Sequence, residues 1–227
     1  MDISAKLKRL DRIYAICDEF SATLSVACRR YCAHCCTGNV TMTGIEAYHI
    51  VEYLKNTQQT QRLDMLKERL LTPRFQPKIT TNALALCYFE GREPPEEQSD
   101  PAWGACPFLT DNQCPIYPAR PLGCRCFVSR LNCKDIGAAD IEEFVLTVNT
   151  VFLQYIEHID SGGRFGNFSD ILVFMASDEN RKQYLSGMLS APKELIANMP
   201  IRVLMIPPEH RQRIQPILYS LSRAISV

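Results

Sequence analysis

Eleven cysteines occur in 227 residues, and most fall into two short runs. The first is Cys28, Cys32, Cys35 and Cys36; the second is Cys106, Cys114, Cys124 and Cys126, with Cys133 close behind. No other feature constrains the chain as much. In an exported protein such thiols would be read as a disulfide framework, whereas in a reducing compartment clustered thiols are read first as metal or iron–sulfur ligands. The opening stretch MDISAKLKRL lacks the uninterrupted apolar run of an export signal, so the expected compartment is the cytoplasm. An odd number of cysteines would also leave a closed disulfide set with one over.

Metals bind thiolates, so a site must gather several sulfurs and keep them deprotonated. Cys32 and Cys35 are separated by two residues, and Cys28 stands one short turn earlier, so the three can converge. Cys36 fits less easily, because adjacent side chains point in different directions. Two neighbouring thiolates rarely complete one mononuclear tetrahedron with Zn–S bonds near ~2.3 Å. The Cys35-Cys36 pair therefore favours two metal sites or one polynuclear cluster. The second run reads Cys106-Pro-Phe-Leu, then Cys114-Pro-Ile-Tyr, then Arg120-Pro-x-x-Cys124-Arg125-Cys126. Prolines after Cys106 and Cys114 restrict the backbone and remove a competing donor. Arg120 and Arg125 flank Cys124, where they would offset the negative charge of a thiolate cluster and donate hydrogen bonds to sulfur. We take these two arginines as cofactor-binding and the eight run cysteines as metal ligands. Cys17 and Cys87 lie in apolar stretches and read as buried core residues, His34 reads as a surface residue, and Cys133 is left open as a ligand.

Around these runs the pattern is helical. Ile3, Leu7, Leu10, Tyr14, Cys17, Phe20 and Leu24 predict a helix over 3–27. Thr43-Gly-Ile-Glu46 is a capping box opening a second helix. A third stretch spans 61–71, and 79–90 suits either helix or strand. The stripe from Ile141 to Ile159 predicts the strongest helix, over 138–160. Ser169 is the expected N-cap of a helix running to about 185, Ile201–Ile206 reads as a short strand, and Pro207-Pro208 opens a last amphipathic helix. Residues 91–104 form an acidic, proline-rich connector, and 105–135 have no periodicity. The expected fold is mainly α: a helical body around an irregular cysteine-rich metal-binding centre. We read it as one domain over 1–227, with the cysteine segment at about 28–135 and a C-terminal helical part at about 138–227.

Charge narrows the function classes. With 25 basic and 25 acidic side chains, the chain offers no broad surface for nucleic acid or an anionic membrane. No apolar run approaches the ~20 residues of a transmembrane helix.

The combination of Cys32-x-x-Cys35-Cys36 with Cys106-Pro107-Phe108-Leu109, Cys114, Ile116-Tyr117, Arg120-Pro121 and Cys124-Arg125 resembles the CxxCxxCC (YkgJ-like) cysteine-cluster family over about residues 28–126. The resemblance implies a zinc- or iron-chelating domain. One departure is visible: three residues separate Cys28 from Cys32, where the family usually has two. A related cysteine arrangement in flagellin lysine methylases makes a methyltransferase role thinkable, although no glycine-rich cofactor loop follows a strand here.

The leading expectation is an iron–sulfur cluster of the four-iron (4Fe–4S) kind, ligated from both runs, serving electron transfer, redox sensing or an enzyme's metal centre. Such a role implies a redox or protein partner. The alternatives are a structural zinc protein and a metal-dependent enzyme related to protein lysine methylases, and ligand count separates them. Four thiolates per centre argue for structure or electron transfer, and three plus an open position argue for chemistry.

Overall fold

Amphipathic stripes become helices, and thiol-rich stretches become the irregular backbone between them. The structure is a computed structural model that describes residues 2–29, 31–188, 190 and 192–226. The order is α1 (Ile3–Ala22), β1 (Thr41–Thr43), α2 (Gly44–Asn56), α3 (Arg62–Arg69), α4 (Thr81–Phe89), α5 (Leu122–Arg125), α6 (Cys133–Ile136), α7 (Glu143–Ile159), β2 (Arg164–Asn167), α8 (Phe168–Ala176), α9 (Asp178–Ser186), β3 (Ile196–Ala197) and α10 (Gln215–Ile225). The fold is mainly α, as expected, with one small antiparallel sheet in the order β1-β2-β3.

Two apolar clusters support the cysteine segments. One packs α2 and α3 against α8, and Phe108, Ile116 and Ala119 of the second cysteine segment fill it from the side. The other packs α7 against α1 and α10, joined by Ile45 of α2 and Leu122 of α5. Val148, Val151, Phe152 and Ile156 on the α7 stripe are fully enclosed. Burying each such side chain contributes about 1.5–3 kcal/mol, so the stripe anchors this half of the molecule.

A carboxylate joins the two halves. Asp160 is fully buried at the end of α7 and accepts from Lys6 Nζ (3.2 Å), Tyr184 Oη (2.5 Å), the Ile45 N–H (3.0 Å) and Asn198 Nδ2 (2.8 Å). Burial pushes its pKa up, and the Lys6 ammonium opposes that rise.

Several boundaries differ from expectation for physical reasons. α1 stops at Ala22 rather than 27, because the next residues leave the helix and the Ala27 N–H bonds to Ser129 O (2.8 Å). α7 starts at Glu143 rather than 138. The ambiguous stretch 79–90 is helical, with Thr80 accepting from the Ala83 N–H (3.2 Å). The helix expected from Ser169 to 185 is two helices broken at Ser177, and the cap of α8 is Asn167, not Ser169. The strand expected at 201–206 does not form. Polar side chains of α7 take the place of a ladder there: Gln154 accepts from the Met205 N–H (2.9 Å) and donates to Val203 O (2.8 Å).

Candidate metal centre

The two cysteine runs are joined at the backbone. The Cys106 N–H donates to Cys36 O (2.9 Å), the Gly38 N–H donates to Gly104 O (2.9 Å), and Thr37 bridges to Ala105. This antiparallel contact places the last cysteine of the first run beside the first cysteine of the second. Within the first run, tight turns close from Arg29 O to the Cys32 N–H and from Ala33 O to the Cys36 N–H, each 3.0 Å. Tyr31 adopts φ +70°, an uncommon conformation for a bulky residue, where the loop carries its extra residue.

Cys114 follows a turn at Thr110–Gln113 in which Asp111 and Asn112 are left-handed. Cys124 stands on α5, whose first N–H, that of Leu122, donates to Glu46 Oε1 (2.7 Å). Gly123 lets this helix approach β1 closely: a Cβ there would sit 2.9 Å from Thr41 O, a backbone atom that cannot swing aside. Gly123→Ala should therefore cost about 1–3 kcal/mol in urea unfolding and lower the metal content per chain by shifting α5.

Cys28, Cys32, Cys35, Cys36, Cys106, Cys114 and Cys124 all line one cavity of about 710 Å³, together with Arg120 and Arg125. Seven of the eight expected ligands thus share a single space. Cys126 is placed elsewhere. It packs against the α1–α7–α10 cluster, where Cys17 and Glu46 act on it electrostatically, and burial raises its pKa well above normal. Two residues along a helix turn the side chain by about 200°, so Cys124 and Cys126 must face apart. Cys17 is buried as expected, its thiol pushed up to about 11 chiefly by burial. Cys87 is also buried, and its thiol meets Arg92 O at 3.2 Å. His34 lines a second cavity of about 790 Å³, which shares Arg29, Tyr31, Cys32 and Cys36 with the first.

All eleven cysteines are thiols rather than disulfides. Burial raises the pKa of Cys114 and, with Cys106 and Cys114 beside it, that of Cys124. Cys35 rises mainly because it donates to Cys36, and Cys36 is lowered by accepting that bond. The thiols of Cys35, Cys114 and Cys124 therefore hold protons that a cation would displace. Among the described residues, no three His, Cys, Asp or Glu side chains already form a set that could hold a metal ion. The sulfurs stand around the cavity rather than converging at one point in it.

The two arginines differ. Arg125 is fully committed: it donates to Asp18 Oδ1 and Oδ2 (2.8 and 2.9 Å), Pro118 O (2.9 Å) and Arg120 O (3.0 Å), and it stacks 4.2 Å from the centroid of the Tyr14 ring. Arg120 lies 3.7 Å from the Tyr117 ring centroid, but its buried Nε has no hydrogen-bond partner among the described residues. Arg120 also lines the thiol-rich cavity, where its guanidinium charge suits a sulfur-rich anionic occupant.

Sequence reasoning missed one supporting residue. Glu46 was recognised as the far side of a capping box, and it does accept from the Thr43 N–H (2.9 Å). It also accepts from Tyr14 Oη (3.0 Å) and from the Leu122 N–H, so it ties α1 and α2 to the helix that carries Cys124. Nothing in the local pattern signals that second task.

A family model described as "Putative zinc- or iron-chelating domain" matches residues 27–144, more than half of the chain. The chain belongs to the CxxCxxCC family. The matched region of this CxxCxxCC protein contains both cysteine runs, the backbone pairing between them and α5, and metal chelation is the function that membership supports. Comparison with curated proteins and with solved structures returns no match. Among the described residues, no helix is long and apolar enough to cross a membrane.

Proposed function

We propose that the chain binds an iron–sulfur cluster of the four-iron kind through Cys36, Cys106, Cys114 and Cys124, and that it serves electron transfer or redox sensing. The observation that carries this reading is the shared cavity, which both runs line together with Arg120. Four-thiolate ligation leaves no open coordination position, which favours an electron carrier over a metal that binds substrate. The cluster would supply one-electron chemistry. The chain's own residues hold the sulfurs apart, shield them, and place the Arg120 charge beside Cys114 and Cys124, where it already opposes the rise of both thiol pKa values. Tyr31, Tyr117 and Phe127 are exposed on the same cavity and offer an apolar rim to a redox partner.

Anaerobic purification with a visible spectrum and analysis for iron, sulfide and zinc tests the reading. Brown protein with bound iron and sulfide is expected, and a colourless protein holding only zinc in this cavity would overturn it. In the loaded protein, Arg120→Met should make the midpoint potential more negative, because a nearby positive charge favours the reduced state. The expected shift is on the order of 60 mV, the one-electron equivalent of about 1.4 kcal/mol.

A further inference from the structure

The cavity that His34 lines, of about 790 Å³, has no part in the function proposed above. Its volume lies within the ~300–1,000 Å³ of small-molecule sites. Three stretches of backbone enclose it. The loop of the first cysteine run is tied to the segment after α5 by the Ala27 N–H, which donates to Ser129 O (2.8 Å). Gly104 and Ala105 are paired to the same loop through Gly38 and Thr37. Asn132, whose side chain caps α6 by accepting from the Lys134 N–H (3.2 Å), brings in the third stretch. The charge on this lining has one sign. Arg29, His34 and Lys134 line the cavity and no Asp or Glu does; Asp111 and Asp135, next in sequence to lining residues, lie outside it. Among the described residues, the Arg29 and Lys134 side chains form no ion pair, whereas nearby Arg125 and Arg130 are paired with Asp18 and Asp140.

We infer that this cavity binds a small organic molecule carrying two negative charges. A cleft lined by charge of one sign concentrates ions of the other. The Arg29 guanidinium presents a planar fork that matches a carboxylate or phosphate group, and the Lys134 ammonium adds a compact charge from a different stretch of chain. A dianion satisfies both cations, and a single charge leaves one of them unmatched. The amides of Asn112 and Asn132 and the ring N–H of His34 can donate to the remaining oxygens. Tyr31, 54% exposed, offers a ring to the organic part of the molecule. Phosphate monoesters and dicarboxylates share this chemistry. Half of the residues lining this cavity, Cys32 and Cys36 among them, also line the thiol cavity. The occupant therefore lies against the candidate metal centre, where its charge would oppose the uptake of an electron. Binding itself does not depend on which metal the thiols hold.

The test is calorimetric titration of the full chain, purified without oxygen and carrying whatever metal it holds, in low-salt buffer. The probes are glycerol 3-phosphate and succinate, with glycerol as the uncharged control. At least one dianion should bind once per chain with Kd below about 1 mM, and glycerol should not bind. Preference for one dianion identifies the anionic group, and equal binding shows that charge alone is read. Arg29→Gln and Lys134→Gln should each weaken binding about tenfold, and the double variant about a hundredfold. Both side chains are exposed, so these variants should fold as wild type does. Arg130→Gln, which breaks an exposed pair outside both cavities, should leave binding unchanged. Failure of both dianions to bind, or undiminished binding in the double variant, would overturn the site. A brown iron protein that binds neither dianion would keep the cluster and lose this site. A colourless zinc protein that binds one with the expected losses would do the reverse.

Discussion

Cys124→Ser should remove the iron: at least a tenfold loss of iron per chain and of visible absorption in anaerobically purified protein. The residue stands on α5 in the cavity wall with Cys106 and Cys114 as electrostatic neighbours, so its sulfur is central to the proposed cluster site. A serine oxygen is a harder donor that soft thiolate-preferring centres accept poorly. The contrast lies two residues away. Cys126→Ala, and likewise Cys17→Ser, should keep iron near the wild-type level, because both thiols belong to the α1–α7–α10 cluster rather than to the cavity. Equal iron loss in Cys124→Ser and Cys126→Ala would show that α5 is turned differently from the arrangement described.

Glu46→Ala should be the most damaging single change to stability, costing on the order of 4 kcal/mol in urea unfolding. The carboxylate is 2% exposed and accepts from the Thr43 N–H, Thr43 Oγ1, Tyr14 Oη and the Leu122 N–H, at 2.7 to 3.0 Å. The two hydroxyls can turn to other partners, but the two backbone N–H groups cannot. Each donor left buried and unpaired costs about 1–3 kcal/mol, and the removed side chain leaves a gap as well. Because Leu122 begins α5, metal content should fall with stability. Glu52→Ala, on the exposed side of the same helix in an i,i+3 pair with Lys55, should change unfolding by less than about 0.5 kcal/mol. If Glu46→Ala were as mild, the buried carboxylate would not be the tie between α1, α2 and α5.

What could be read in advance follows from the range of the forces involved. The α7 stripe, the Thr43 capping box and the burial of Cys17 and Cys87 depend on neighbours within a turn or two, and each was legible. The antiparallel pairing of β1 with β2, far apart in the chain, was not. Its strands are three and four residues long, and Gly166 and Asn167 give it no alternation to detect. The segment Ile201–Ile206 looked like a strand because its apolar content is strand-like. The hydrogen bonds of Val203 and Met205 go instead to Gln154, and that of Met199 just before them to Glu157, on a helix more than forty positions earlier. At the site, thiol spacing identified the ligand candidates. It did not separate Cys124 from Cys126, because that depends on α5 being helical, and four residues among prolines and cysteines carry no helical period. Nor did it show that Arg125 is spent on Asp18 and two carbonyls, since Asp18 lies 107 positions away.

The Asp160 junction bears on the order in which this protein is assembled. An ammonium, a phenol and two amide groups from distant segments close on that carboxylate without help from any sulfur. The helical frame can thus lock before any inorganic cargo arrives, leaving the thiol-bearing loops to tighten around it afterwards.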